Sequence, residues 1–142
     1  MIRSVMFYLN QNKPSVCEAV QTGVKLCRQK GIEPIFFESD RRFLSEELGA
    51  EFEQAAYLPE PDFAQIDMMF VFGGDGTIIK AAREFAPFGV PVLGVNMGHL
   101  GYLAELEVSE TELVRRIVQG DFHTDDRIML DVRIERPDET VR

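Results

Sequence analysis

Met68-Met69-Phe70-Val71-Phe72-Gly73-Gly74-Asp75-Gly76-Thr77 is the stretch around which the rest of the chain is organised. Its opening apolar run is too short for a membrane span and reads as a strand covered on both faces. The run passes straight into Gly-Gly-Asp-Gly-Thr, after which Ile78, Ile79, Ala82 and Phe85 continue at helical spacing. The glycines therefore sit where a buried parallel strand becomes a helix, expected from Thr77 to about Phe85. At such a junction the unbonded N–H groups and the positive end of the helix dipole face outward, which favours an anion, most often phosphate. Glycine at Gly74 and Gly76 is expected for backbone reasons. It takes φ > 0 without strain and lets a ligand approach with no Cβ in the way.

Asp75 is the odd member of this cradle. A carboxylate there repels a phosphate by about 1 kcal/mol at ~4 Å in water and several times that near a protein surface. Two roles remove the conflict. Asp75 can hold a hydrated Mg²⁺ that also binds the phosphates, or it can accept the proton of an attacking hydroxyl. Both point to phosphoryl transfer. The plainer reading is that Asp75 only N-caps the helix, since Asp is a favoured cap. Two common phosphate loops are excluded. No Lys-Ser or Lys-Thr pair exists to complete a P-loop, and Ile79 stands where a dinucleotide fingerprint has its third glycine.

The 142 residues suffice for one domain with a real core. At 45% apolar and 27% charged, the composition is that of an ordinary globular domain. A net charge of −9 argues against nucleic acid as a partner. It also leaves phosphate binding to local dipoles and any metal. Met1-Ile2-Arg3-Ser4 leads directly into a strand-like run with no signal-peptide pattern, and no apolar stretch reaches membrane-helix length. The expectation is a cytoplasmic protein. Cys17 and Cys27 fall on one predicted helix about 15 Å apart, too far for a disulfide, and read as two buried thiols. No zinc-ligand spacing occurs.

Ser4 to Leu9 reads as the first strand, followed by a turn at Asn10-Gln11-Asn12-Lys13. Pro14 suits the first position of a helix whose apolar face is Val16, Val20, Val24 and Cys27 and which Gly31 stops. Ile32 to Phe37 is a second strand, so a right-handed crossover and a parallel sheet follow. Phe43, Leu44, Leu48 and Phe52 space a helix within 39–57, broken at Gly49. The glutamates at 46, 47, 51 and 53 make its solvated face. Val92 to Val95 is another buried strand. Asn96-Met97-Gly98-His99-Leu100-Gly101-Tyr102 follows it, so two glycine loops leave neighbouring carboxyl ends and line one pocket. Ser109 and Glu112 form a capping box for a helix ended by Gly120. Leu130, Val132 and Ile134 then alternate with charged residues, the pattern of a half-exposed strand. Pro137-Asp138-Glu139 is a turn, and Thr140 onward looks like the start of a return strand, so the chain reads as part of a longer protein.

Gly73-Gly74-Asp75-Gly76-Thr77, followed by Asn96-Met97-Gly98-His99-Leu100-Gly101-Tyr102-Leu103, resembles the NAD kinases. The first motif is shared with phosphofructokinase-like and diacylglycerol-kinase-like enzymes, and the second, at this distance, selects NAD kinase. The resemblance spans essentially the whole chain but only the first half of such an enzyme. It implies a three-layer, Rossmann-like α/β fold with a parallel sheet in residues 1–126, then the first strand of a β-rich second domain in 127–142. It further implies phosphorylation of the 2′-hydroxyl of the adenosine ribose of NAD to NADP, with ATP and Mg²⁺ or another divalent metal. Asp75 is then the catalytic base, and Gly73, Gly74, Asp75, Gly76, Thr77, Lys80, Asn96 and Tyr102 bind nucleotide. No residue is assigned as a resident metal ligand. Partners are small-molecule nucleotides, with no nucleic acid and no membrane, and the full-length protein is expected to be a dimer or tetramer. Two other readings remain: a lipid or metabolite kinase sharing the glycine motif, and a non-catalytic nucleotide-binding module. Taken alone, the fragment is expected to be inactive.

Overall fold

The computed structural model describes residues 2–58, 63–97, 103, 106–107, 111–137 and 139–141. Strand β1 (Ser4–Leu9) is followed by helix α1 (Val16–Gln29) and strand β2 (Glu33–Phe37). Next come α2 (Arg41–Leu48), β3 (Ala56–Leu58), β4 (Met68–Gly73), α3 (Asp75–Phe85) and β5 (Val92–Asn96). The short β6 (Leu106–Glu107), α4 (Thr111–Val118) and the hairpin β7 (Ile134–Arg136) and β8 (Glu139–Val141) complete the order.

Six strands form one sheet in the order β3-β2-β1-β4-β5-β6, and every neighbouring pair is parallel. Both faces of this sheet are covered, which is why its central strands are apolar without interruption. Val5 and Phe7 of β1, Phe36 of β2, and Phe70 and Phe72 of β4 join Val16, Val20, Val24 and Cys27 of α1 and Leu44 of α2 in one core. Met6, Ile35, Met69 and Val71 point the other way, against Ile78, Ala81 and Phe85 of α3. The expected three-layer α/β architecture is thus what the chain adopts. The crossovers also explain the order: α1 covers one face between β1 and β2, and α3 covers the other between β4 and β5.

The element ends differ from the sequence reading in a few places. Helix α1 begins at Val16, with Pro14 in the turn before it. Gly31 ends it as expected, at φ +69°, and Ile32 donates its N–H to the Cys27 carbonyl at 2.9 Å. Helix α3 starts at Asp75 and not Thr77, because its first turn precedes the first apolar residue of its buried face. The expected helix within 39–57 is α2, a break at Gly49 (φ +104°) and a single-turn helix at Ala50–Gln54; β3 then joins the sheet edge. The glutamates at 46, 47, 51 and 53 are exposed, as expected. Cys27 is fully buried, but Cys17 is only half-buried, correcting the expectation of two buried thiols.

The largest departure is after α4. Residues 121–133 have no regular structure, and the alternating Leu130, Val132 and Ile134 yield a strand only from Ile134. These side chains are exposed, so nothing among the described residues holds an extended strand in place there. β7 pairs antiparallel with β8 in a separate two-stranded sheet. The capping box assigned to Ser109 lies outside the described residues, while Glu112 is in the first turn of α4.

Candidate active site

The strand order reverses between β1 and β4: β2 and β3 build outward from one, β5 and β6 from the other. Loops leaving those two strands at their carboxyl ends turn to opposite faces and open a crevice, which in open α/β sheets is where ligands bind. The glycine motif sits at that point.

β4 ends at Gly73. Gly74 is extended (φ −102°, ψ −168°) and occupies the N-cap position, and the first bond inside α3 runs from the Ile78 N–H to the Gly74 carbonyl at 3.1 Å. The N–H groups of Gly76 and Thr77 therefore precede any carbonyl of their own helix. Together with the helix dipole they favour an anion.

Asp75 is the first residue of α3, where negative charge is favoured by the dipole. It is not the N-cap, since that position belongs to Gly74. Its Oδ1 accepts the backbone N–H of Leu103 at 3.0 Å. The carboxylate is thus tied to the last residue of the second glycine motif. Asn96, the last residue of β5, pairs in register with Gly73 and is buried, and the Met97 N–H donates to the Gly73 carbonyl at 3.2 Å. Both motifs leave the sheet side by side. Lys80 is exposed, about 140° round the helix from Asp75 and about 7.5 Å along it, so only its long side chain could return to the turn. Tyr102 and His99 lie outside the described residues.

The glycines carry a correction. Neither Gly74 nor Gly76 has a positive φ; among the described residues the glycines that do are Gly31, Gly49, Gly89 and Gly120. A Cβ at Gly74 or Gly76 would meet nothing within 4 Å, so what glycine offers there is open space for a ligand. The sterically demanding position is Gly73. A Cβ there would come within 2.5 Å of Thr77 Oγ1 and 2.6 Å of Thr77 Cβ, against a stiff β-branched side chain. Gly89, in the turn before β5, is left-handed at φ +67°.

Sequence reasoning assigned no site residue to the turn after β1. The Asn10 N–H donates to the Phe72 carbonyl at 3.0 Å and its Nδ2 to Thr77 Oγ1 at 3.4 Å. The available signal was a run of Asn-Gln-Asn directly after a strand that proves to be central. Gln11 Nε2 in turn donates to Oδ1 of the buried Asp40 at 2.6 Å.

Among the described residues, no group of three or more His, Cys, Asp or Glu side chains could hold a metal ion. A single carboxylate suits Mg²⁺ only as an ion that arrives with phosphates and keeps much of its water. Also among the described residues, no helix is long and apolar enough to cross a membrane. An open groove of about 500 Å³, lined by Val24, Lys25, Arg28, Glu51 and Phe52 among others, lies along α1 and away from these strand ends.

The geometry has counterparts in known proteins. The family description of the ATP-NAD kinase N-terminal domain matches residues 5–122. A NAD kinase of Leifsonia xyli subsp. xyli is 37% identical over 131 residues, covering 87% of this chain and 42% of that protein. A NAD kinase of Heliobacterium modesticaldum is 42% identical over 88 residues, covering 58% of this chain and 31% of that protein. The crystal structure of yeast NADH kinase complexed with NADH superposes with a TM-score of 0.69 at 21% identity, over 84% of this chain and 39% of that one. The last likeness concerns the fold. The chain spans less than half the length of each of these relatives.

Proposed function

Because the chain belongs to the ATP-NAD kinase family through its N-terminal domain, we propose that it carries the phosphate cradle and the general base of an enzyme that makes NADP from NAD. The observation that carries this reading is the Asp75 carboxylate at the first turn of α3, beside first-turn N–H groups and at the reversal of strand order. ATP is the phosphoryl donor and the 2′-hydroxyl of the adenosine ribose the acceptor. The Gly76 and Thr77 N–H groups and the helix dipole hold phosphate oxygens. Asp75 takes the hydroxyl proton as the oxygen attacks the γ-phosphorus and the bond to the β,γ-bridging oxygen breaks, releasing ADP. In such reactions the protein mainly positions and neutralises. Mg²⁺, arriving with the phosphates, supplies further neutralisation. Asn96 lines the cradle from β5, Lys80 reaches the dinucleotide, and Tyr102 offers a π-face to a base.

Measured alone, these residues are expected to bind nucleotide weakly and turn over nothing detectable. Contacts that orient two substrates can account for about 7–11 kcal/mol of a barrier, and the relatives hold more than twice this length of chain. A cytoplasmic location and a homo-oligomeric full-length protein belong to the same reading. The test is NADP formation from NAD, ATP and Mg²⁺ by the full-length protein and its Asp75→Asn variant. The substitution keeps the shape and removes the basicity, so the rate falls by about 10²–10⁴-fold while nucleotide binding is kept or improves. Near-normal turnover by the variant would remove Asp75 as the base.

A further inference from the structure

Asp40 is a buried carboxylate that the site described above does not use. It ends the short turn after β2, is 7% exposed, and stands at the N-cap position of α2. Asp is among the favoured capping residues. Here, however, its backbone is helical (φ −92°, ψ −9°) and its side chain makes no capping bond. The carboxylate instead accepts Gln11 Nε2 across 29 residues. Burial pushes the Asp40 carboxyl up from its usual range, and the Gln11 hydrogen bond only partly opposes this. The protein thus keeps a desolvated carboxylate, without its cap, to hold one exposed glutamine.

Gln11 neighbours Asn10, and the two point to opposite sides of the turn. Asn10 reaches β4 and Thr77, and its Oδ1 also accepts the Asn12 N–H at 3.1 Å. Gln11 reaches β2. A chain of contacts therefore runs from Asp40 through Gln11 and the β1 turn to Asn10 and Thr77, joining the carboxyl ends of β2, β1 and β4.

We propose that Asp40 is a positioning residue for the anion site: through Gln11 it fixes the β1 turn, and through Asn10 that turn orients the first turn of α3 toward a nucleotide phosphate. The ligand in this statement rests on the nucleotide reading above; the mechanical link does not. Two measurements on the ¹⁵N-labelled chain separate them. The first, without nucleotide, follows backbone order parameters at Gly74, Gly76 and Thr77 in Asp40→Leu, Gln11→Ala, the double variant and Asp40→Asn. The first two each lower these values from about 0.85 toward ~0.6. The double variant adds nothing beyond either single one, and Asp40→Asn, which retains an acceptor oxygen, stays near the parent. Gln11 is exposed, so its truncation leaves the fold intact if Asp40→Leu does not.

The second titrates ATP with Mg²⁺ and reads the glycine amides. The dissociation constant rises about tenfold in Asp40→Leu and Gln11→Ala and stays within about twofold in Asp40→Asn, the scale of one lost orienting hydrogen bond. A lower unfolding midpoint with unmoved order parameters at 74, 76 and 77 would make Asp40 merely structural and overturn the proposal. Failure of ATP to shift the glycine amides of the parent chain would sink the nucleotide reading, while the order parameters still decide the role of Asp40.

Discussion

β1 and the segment from Leu130 to Ile134 both read as strands in the sequence, yet their surroundings are unlike. In β1, Val5 and Phe7 enter the core beneath α1, while Met6 enters the core beneath α3. In the later segment, Leu130 is 81% exposed and Val132 62%, and regular structure begins only at Ile134. Alternation tells which residues share a face. Whether that face becomes a core depends on a second layer, because apolar surface stabilises only where water is removed from it, by about 25 cal/mol per Å².

The sharpest way to break this comparison is to truncate both regions. Phe70→Ala removes a fully buried ring that lies 5.8 Å from Phe7 and 6.5 Å from Phe72, and is expected to cost about 3–5 kcal/mol. Leu130→Ala should fall within about 0.5 kcal/mol. Denaturant midpoints of both variants check this, and equal losses would mean that the later segment packs on a core of its own.

Alkaline pH probes the same contrast through Cys27. Burial holds its thiol up at about 12, above the ordinary 9.0. Stability from the protonated thiol is fully present below the unfolded value and is lost as pH rises from there toward the folded one. Three pH units correspond to about 4 kcal/mol at full extent. Cys27→Ala should flatten this alkaline limb, as read by unfolding free energy from neutral pH upward. An unchanged slope would show that Cys27 does not titrate differently in the two states.

Smaller effects separate the glycines. Gly73→Ala drives a Cβ into Thr77 and should cost about 1–3 kcal/mol. Gly76→Ala, in open space on a helix, should be neutral or stabilising by up to about 1 kcal/mol, whatever it does to a ligand. If thermal melts put the two on a par, the close approach of Gly73 to Thr77 is not real. Smallest of all, deleting the residues after 126 should move the unfolding midpoint by less than the equivalent of about 0.5 kcal/mol. A larger loss would extend the α/β unit beyond the boundary expected from the sequence.

Much of this arrangement was legible beforehand, for reasons visible in particular residues. Val16, Val20, Val24 and Cys27 mark one face of α1, and Gly31 marks its end, because both signals are local. β4 and α3 are equally plain from the apolar run and the glycine junction. β3 was not, since Ala56-Tyr57-Leu58 is too short to show a period and becomes a strand only by pairing with β2. The site divides in the same way. Asp75 and Asn96 follow strands that announce themselves. Asn10, Gln11 and Asp40 acquire their places from tertiary contacts with partners 67 and 29 residues away, and polar residues after a strand look like any turn.

The central position of β1 has a further consequence, one of timing. β1 is made well before β4, yet β4 is one of its two neighbours. Arg3 and Ser4 donate their N–H groups to the Asp67 carboxylate, 64 and 63 residues later. Until that partner exists, one edge of β1 has nothing to bond, and closing so long a loop adds an entropic cost that grows as (3/2)RT ln n. Parallel pairings of this range are slow among folding events. On a ribosome the middle of this sheet would therefore wait for β4, while β1 and β2 stood as an unfinished pair. The rate at which Asp67 meets Arg3 and Ser4, more than the strength of any local helix, would set how long that pair stayed open.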